Sequence, residues 1–107
     1  KTFNKFLLGK YKIISRIDTR LILKVCLGLL MTKEESYTFF YVCGQGLWRN
    51  DNKYMVERKI LEQFEDIENL DELSEIDKAY EASERIYLAD KILRENGRRS
   101  IYENVKD

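Results

Sequence analysis

The chain contains neither histidine nor proline. Without histidine, serine-protease-type triads, Cys–His dyads and nearly all zinc chemistry are excluded. Without proline, a chain rich in Leu, Glu, Lys and Ile lacks the usual loop punctuation, which favours long helices. Cysteine is scarce: Cys26 and Cys43 are the only two, where a disulfide-stapled secreted scaffold of this size would carry more. Both lie in apolar stretches and read as buried small hydrophobes; a redox or metal role lacks any further ligand. Long apolar runs are missing too. Residues 21–31 are the most apolar segment, but eleven residues interrupted by Lys24 fall short of the roughly 20 that a membrane-spanning helix needs. A buried helix is the expectation there. These absences speak against an enzyme, and neither a cofactor nor a metal is expected.

What is present suits one small helical domain of 107 residues. Nineteen bases balance nineteen acids, and 36% of the residues are charged, against an ordinary share of about a quarter. The balance hides a division. Residues 1–31 hold seven bases and one acid, Asp18, a net of +6, and residues 32–107 hold twelve bases and eighteen acids, a net of −6. Ten acids and one base, Lys78, lie between Glu62 and Glu84 inclusive. Either the basic segment and the acidic surface compensate each other within one fold, or a basic arm serves an anionic partner and an acidic face docks another. Nucleic acid is not the expected partner, because the bases are interleaved with aliphatics and no nucleic-acid motif is present. Contact of residues 1–31 with a membrane surface stays open. The chain begins at Lys1, so a fragment or processed form is expected, and an intracellular setting is favoured.

Along the chain, residues 10–17 fit strand or helix equally. Thr32-Lys-Glu-Glu35 is a capping box, which predicts a helix running through residues 37–43 and ending at Gly44 and Gly46. Residues 49–52 form a turn, with Asp51 or Asn52 able to cap a helix over 53–64, whose Val56, Ile60 and Phe64 share a face. Residues 65–71 read as a polar loop. From Ser74 a long helix follows, with Ala79, Ala82, Ile86, Ala89 and Leu93 in one stripe at spacings of 3, 4, 3 and 4. Asn96-Gly97 ends it, and residues 98–105 are expected to form a short last helix carrying Ile101 and Tyr102. Two antiparallel helices joined by an acidic loop are the central architectural expectation.

These residues resemble a known family. Ala89-Asp-Lys-Ile-Leu-Arg-Glu-Asn-Gly-Arg-Arg-Ser-Ile-Tyr-Glu103 is similar to the end of a J-domain, the DnaJ-like co-chaperone module, where Ala-Tyr-x-x-Leu precedes an acid, an Arg and a Tyr-Asp pair. Ala89, Leu93, Glu95, Arg99, Tyr102 and Glu103 fall at the matching places, as does the apolar Ile86. Val56-Glu-Arg-Lys-Ile-Leu-Glu-Gln-Phe64 resembles the family's second helix. Phe39-Phe-Tyr-Val-Cys-Gly-Gln45 is similar to its opening motif, allowing one inserted residue. The resemblance covers residues 32–107 and implies a mainly α fold. Its antiparallel helix pair has short flanking helices, is preceded by a basic, apolar segment at 1–31, and has Tyr102 near its open end.

The resemblance fails where the family acts. Its second helix ends in His-Pro-Asp, which triggers ATP hydrolysis in the 70-kDa heat-shock chaperone; here Glu65, Asp66 and Ile67 occupy those positions. The family's second helix is also markedly basic. Here Lys53, Arg58 and Lys59 are offset by Glu57, Glu62 and Glu65, so steering toward an acidic chaperone surface is largely lost.

Other constellations carry less. The acidic arc lacks the glycine of a calcium loop. Trp48 is expected to pack over the turn between the first two J-like helices, or else to serve as an exposed contact hot spot. Arg98 is expected in solvent, with Arg99 fixing the last turn. The expectation is therefore a non-catalytic protein–protein interaction or scaffold module, a subunit of a larger assembly, with Lys53, Arg58, Lys59 and Trp48 as candidate partner-binding residues. Two alternatives stand: a non-stimulatory J-like regulator of a 70-kDa chaperone system, of the import-motor type, and a helical viral or parasite effector unrelated to J-domains.

Overall fold

The computed structural model describes residues 18–47 and 52–103. They form four α-helices and no strand: α1 (Thr19–Gly28), α2 (Lys33–Val42), α3 (Met55–Glu62) and α4 (Glu75–Glu95), with a 3-10 turn at Leu70–Glu72 before α4. The mainly helical expectation holds. The segment at 10–17, the turn at 49–51 and Trp48 lie outside the described residues.

Three helices begin as local chemistry dictates. The Asp18 side chain accepts the Arg20 N–H ahead of α1, and Ser74 accepts the Asp77 N–H ahead of α4. The Thr32–Glu35 box is closed in both directions at 3.1 and 2.8 Å. Each side-chain oxygen satisfies an amide that the helix leaves without an internal partner. Helix α3 differs from expectation. Its N-cap is Tyr54, with no side-chain cap, and Asn52 offers the Met55 N–H only its carbonyl, at 3.4 Å. It is also shorter than 53–64, because the Gln63 and Phe64 amides tighten onto Ile60 and Leu61 in three-residue turns.

Three helices end in the same hydrogen-bonded turn. The Met31, Gln45 and Arg98 amides reach back to the carbonyls of Cys26, Phe40 and Leu93, while those of Leu30, Gly44 and Gly97 bond Leu27, Tyr41 and Arg94. This is the Schellman arrangement, and its penultimate residue needs a positive φ. Gly44 and Gly97 supply φ of 79° and 74° at no steric cost, but Leu30 adopts 54°. The left-handed backbone costs about 1–2 kcal/mol for a residue with a Cβ. Burial of the Leu30 side chain offsets about the same amount.

Contacts at the two ends set the topology. At one end Thr19 donates to Gln45, Arg20 to the Ser100 carbonyl and Arg98 to Glu57, which gathers the start of α1, the end of α2, the start of α3 and the end of α4. At the other end the Lys33 amide donates to Asp66 and Arg85 to the Glu65 carbonyl. Hence α1 and α3 run one way and α2 and α4 the other. Because Arg85 sits level with the end of α3, the ten residues before it carry α4 about 15 Å farther.

One core is shared by all four helices: Ile22, Leu23 and Cys26 from α1, Phe40 from α2, Ile60 from α3 and Leu93 from α4. Residues 19–31 therefore pack in the same core as the helices after Thr32. The α4 stripe is shorter than expected. Ala82, Ala89 and Leu93 are buried and Ile86 is half-buried, but Ala79 is exposed, since the first turns of α4 lie beyond its neighbours. The segment expected as a last helix is a loop at 98–100 and a turn at 101–102; 104–105 are not described. Gly97 turns the chain back, and the Asp90 carboxylate takes the Ile101 N–H at 2.9 Å, a bond in place of a helical one. Ile101 is fully buried beneath it and Tyr102 is exposed.

Cys26 and Cys43 are buried free thiols. Burial pushes the Cys26 thiol up to about 11, opposed by a hydrogen bond with Ser36, and burial also raises Cys43. No described helix is long and apolar enough to cross a membrane.

Two expectations follow from the packing. Leu93→Ala should cost about 2–5 kcal/mol in urea denaturation, whereas Ile76→Ala on the same helix should stay within about 0.5 kcal/mol. Equal costs would mean that α4 does not present these two faces as described. Both thiols should resist iodoacetamide at pH 8 in the folded chain and react rapidly in urea; fast labelling without denaturant would contradict their burial.

Candidate partner-binding site

Glu65, Asp66 and Ile67 sit in the loop after α3, and that loop is tied down. Arg85, buried on α4, donates to the Glu65 carbonyl at 2.9 Å and pairs with Glu81 at 2.9 Å. Its guanidinium also lies 5.0 Å from the centre of the Phe64 ring, a cation–π distance. Asp66 accepts the Lys33 N–H at 2.9 Å, so its carboxylate serves the start of α2, where an anion is favoured. Ile67 is half-buried and borders a cleft whose other side includes Leu30 and Thr32. Around this end, Lys33 pairs with Glu62 at 3.6 Å and the Tyr37 hydroxyl donates to Glu62 at 3.4 Å. Burial and the Glu62 charge raise the Tyr37 phenol above its ordinary value.

The candidate bases are not gathered. Lys53 precedes α3; its carbonyl accepts from Arg98 at 3.3 Å and its ammonium stands 5.3 Å over the Tyr54 ring. Arg58 is half-buried and donates to the Leu47 carbonyl at 3.4 Å. Lys59 is exposed on the turn of α3 that carries Glu62. Trp48 lies outside the described residues.

The opposite end of the bundle holds a polar assembly that the sequence pattern did not single out. Arg20 grips Asp18 with two donors at 3.0 and 2.8 Å, and its third nitrogen reaches the Ser100 carbonyl and Glu103 at 2.8 and 3.1 Å. The Arg20 hydrogen bond holds the Asp18 carboxyl below its ordinary value, against the opposing effect of burial. Asp90 is buried. Burial alone would push its carboxyl up, but bonds from Ser100 and Ile101, with Arg94 beside it, outweigh that and hold it low.

Glu57 is only 2% exposed. One of its oxygens accepts from Arg98 at 2.8 Å, and the other has no hydrogen-bond partner. Arg98 is therefore a buried carboxylate's counterion rather than a solvated base, and Arg99 is the exposed one of the two. The expected roles are exchanged, because the turn at Gly97 swings Arg98 back across α4 toward α3. These groups border a cleft of about 560 Å³ between Arg20, Tyr54, Glu57 and Arg98. A signal for them does exist in the sequence. Glu57 falls among Val56, Ile60 and Leu61, and Arg85 and Asp90 fall among Ala82, Ala89 and Leu93, and a charge on an apolar face needs a partner.

Among the described residues, no group of three Cys, Asp or Glu side chains could hold a metal ion. The carboxylates at both ends are spent on helix starts and on arginines, so the arrangement offers folded surface and fixed loops. Comparison with protein-family models, with curated proteins and with solved structures finds no match.

The paired charges generate two measurable effects. Arg98→Ala should destabilise by about 3 kcal/mol, near the low end for breaking a buried pair because Arg98 is itself 37% exposed along its side chain. Arg99→Ala should change urea stability by less than about 0.5 kcal/mol; the reverse order would contradict this assignment. Asp18 and Asp90 have lowered folded values, so their stabilisation is complete above about pH 4 and is lost as pH falls through the folded values. The urea midpoint should drop below about pH 4, and Asp90→Asn should flatten that fall. An unchanged acid slope in the variant would remove Asp90 from this account.

Proposed function

We propose that this chain is a non-catalytic protein–protein interaction or scaffold module, built on a degenerate J-like domain and acting as a subunit of a larger assembly. The observation that carries this is the loop at Glu65, Asp66 and Ile67. In the family that residues 32–107 resemble, that loop reaches out to a chaperone. Here its carbonyl and its carboxylate are engaged within the chain by Arg85 and Lys33, which supports a packing role. The lack of histidine and proline leaves nothing else to supply the trigger. Helices α3 and α4 lie antiparallel, with Tyr102 beyond the end of α4, and this is compatible with a J-like shape kept without its activity.

That same antiparallel pair keeps a second reading in play: a non-stimulatory regulator that binds an authentic J-protein. A helical effector unrelated to J-domains is the reading left if neither partner type is found. Affinity capture from native extract with the full chain should retain a stoichiometric protein assembly. In an ATPase assay with a 70-kDa chaperone, the chain alone should give no stimulation. Stimulation would overturn the non-catalytic proposal, and no effect on an authentic J-protein's stimulation would remove the regulator.

A further inference from the structure

Helix α4 carries a second stripe on the side away from the core. Ile76, Tyr80, Ser83 and Tyr87 recur at spacings of 4, 3 and 4, so they share one face, roughly opposite Ala82, Ala89 and Leu93. Ile76, Tyr80 and Tyr87 are 81, 72 and 60% exposed. Exposed Asp77 and Glu84 border them. No residue from Glu75 to Glu81 is fully buried. The result is an apolar strip with an acidic margin along one side, on a helix that outruns its neighbours.

The same chain contains a segment of complementary chemistry. Residues 1–17 hold Lys1, Lys5, Lys10, Lys12 and Arg16, no acid, and eight interspersed apolar residues. The segment joins the bundle at Asp18, beside the end of α4, where Arg20 bonds the Ser100 carbonyl. Ser100 is itself level with Asp90, to which its hydroxyl donates at 2.7 Å, so Tyr87 lies about 5 Å back along α4 and Ile76 about 21 Å. Seventeen residues span up to about 56 Å when extended and about 25 Å as a helix, so the strip is within reach.

We propose that residues 1–17 dock on the outward face of α4 of the same chain, laying apolar side chains along Ile76, Tyr80 and Tyr87 and setting lysines against Asp77 and Glu84. Tethering makes the encounter intramolecular, with an effective concentration on the order of millimolar, so weak contacts suffice. Lysine stems cover apolar surface while their ammonium groups stay in water beside the carboxylates. The net +5 of residues 1–17 then meets the acidic side of α4. The contact does not depend on the assembly role proposed above, and a partner using this face would have to displace the segment.

Zero-length carbodiimide cross-linking of the full chain at low salt, with peptide mapping of the separated monomer, tests this. Amide links from Lys5, Lys10 or Lys12 to Asp77 or Glu84 are expected in the monomer. They should fall about five-fold in about 0.5 M salt and equally in an Ile76→Ser/Tyr80→Ser variant, whose exposed positions leave folding unchanged by circular dichroism. Three outcomes would overturn the proposal: links from these lysines only to other carboxylates or to none, links confined to a covalent dimer, or links that persist unaltered in the variant. The dimer result would assign the contact to a second copy. Partner capture by the same variant is read separately, so loss of the internal contact and loss of assembly are distinguishable.

Discussion

A carboxylate removed from water must find a cation at hydrogen-bond distance or give up its charge, and Glu57 finds Arg98. That pair joins the first turn of α3 to the residue after the turn that ends α4. Much of the architecture follows from the requirement. Gly97 must adopt a positive φ for Arg98 to come back across the helix, and the Arg98 amide must bond Leu93. The chain beyond is thereby directed over the core, where Ile101 fills it. Helix α4 is held antiparallel to α3 by this pair at that end and by Arg85 at the other.

Arginines do elsewhere what proline and disulfides do in other small proteins: they limit where loops can go. Arg20 ties the start of α1 to the residues after α4, some eighty positions away, and Arg85 pins the loop after α3. The planar guanidinium suits this work because each one satisfies several acceptors in a fixed fork. Aliphatic and aromatic contacts among Leu23, Phe40, Ile60 and Leu93 supply the non-directional part of the stability, and the arginines supply direction. A core of this size leaves little margin, so both are needed.

The loop at Glu65, Asp66 and Ile67 has the same economy. Its polar groups answer to α2 and α4, which fits a structural purpose. Helix α4 meanwhile has two lives. Its C-terminal half is core, and its first two turns, with Ile76, Asp77 and Tyr80 outward, carry no fully buried residue. An exposed helix start of that composition persists because the rest of the helix is anchored in the core.

Local chemistry made much of the helical framework legible. The Thr32–Glu35 box, Ser74 before α4 and the glycines at 44 and 97 act within a few residues, so the sequence by itself determined where α2 and α4 begin and end. The 3.6-residue period likewise marked Ile60 and Leu93 as core. What it left undetermined lay between elements. Leu30 in a left-handed conformation contradicts local preference and is tolerated because its side chain is buried. Ala79 fits the α4 stripe by spacing, yet the stripe needs a neighbour opposite, and α3 ends too early to provide one. The exchange of roles between Arg98 and Arg99 depends on which of two adjacent side chains faces Glu57, forty-one residues away. Those decisions belong to tertiary structure, because burial and charge pairing are properties of positions brought together in space, while capping and periodicity are written along the chain.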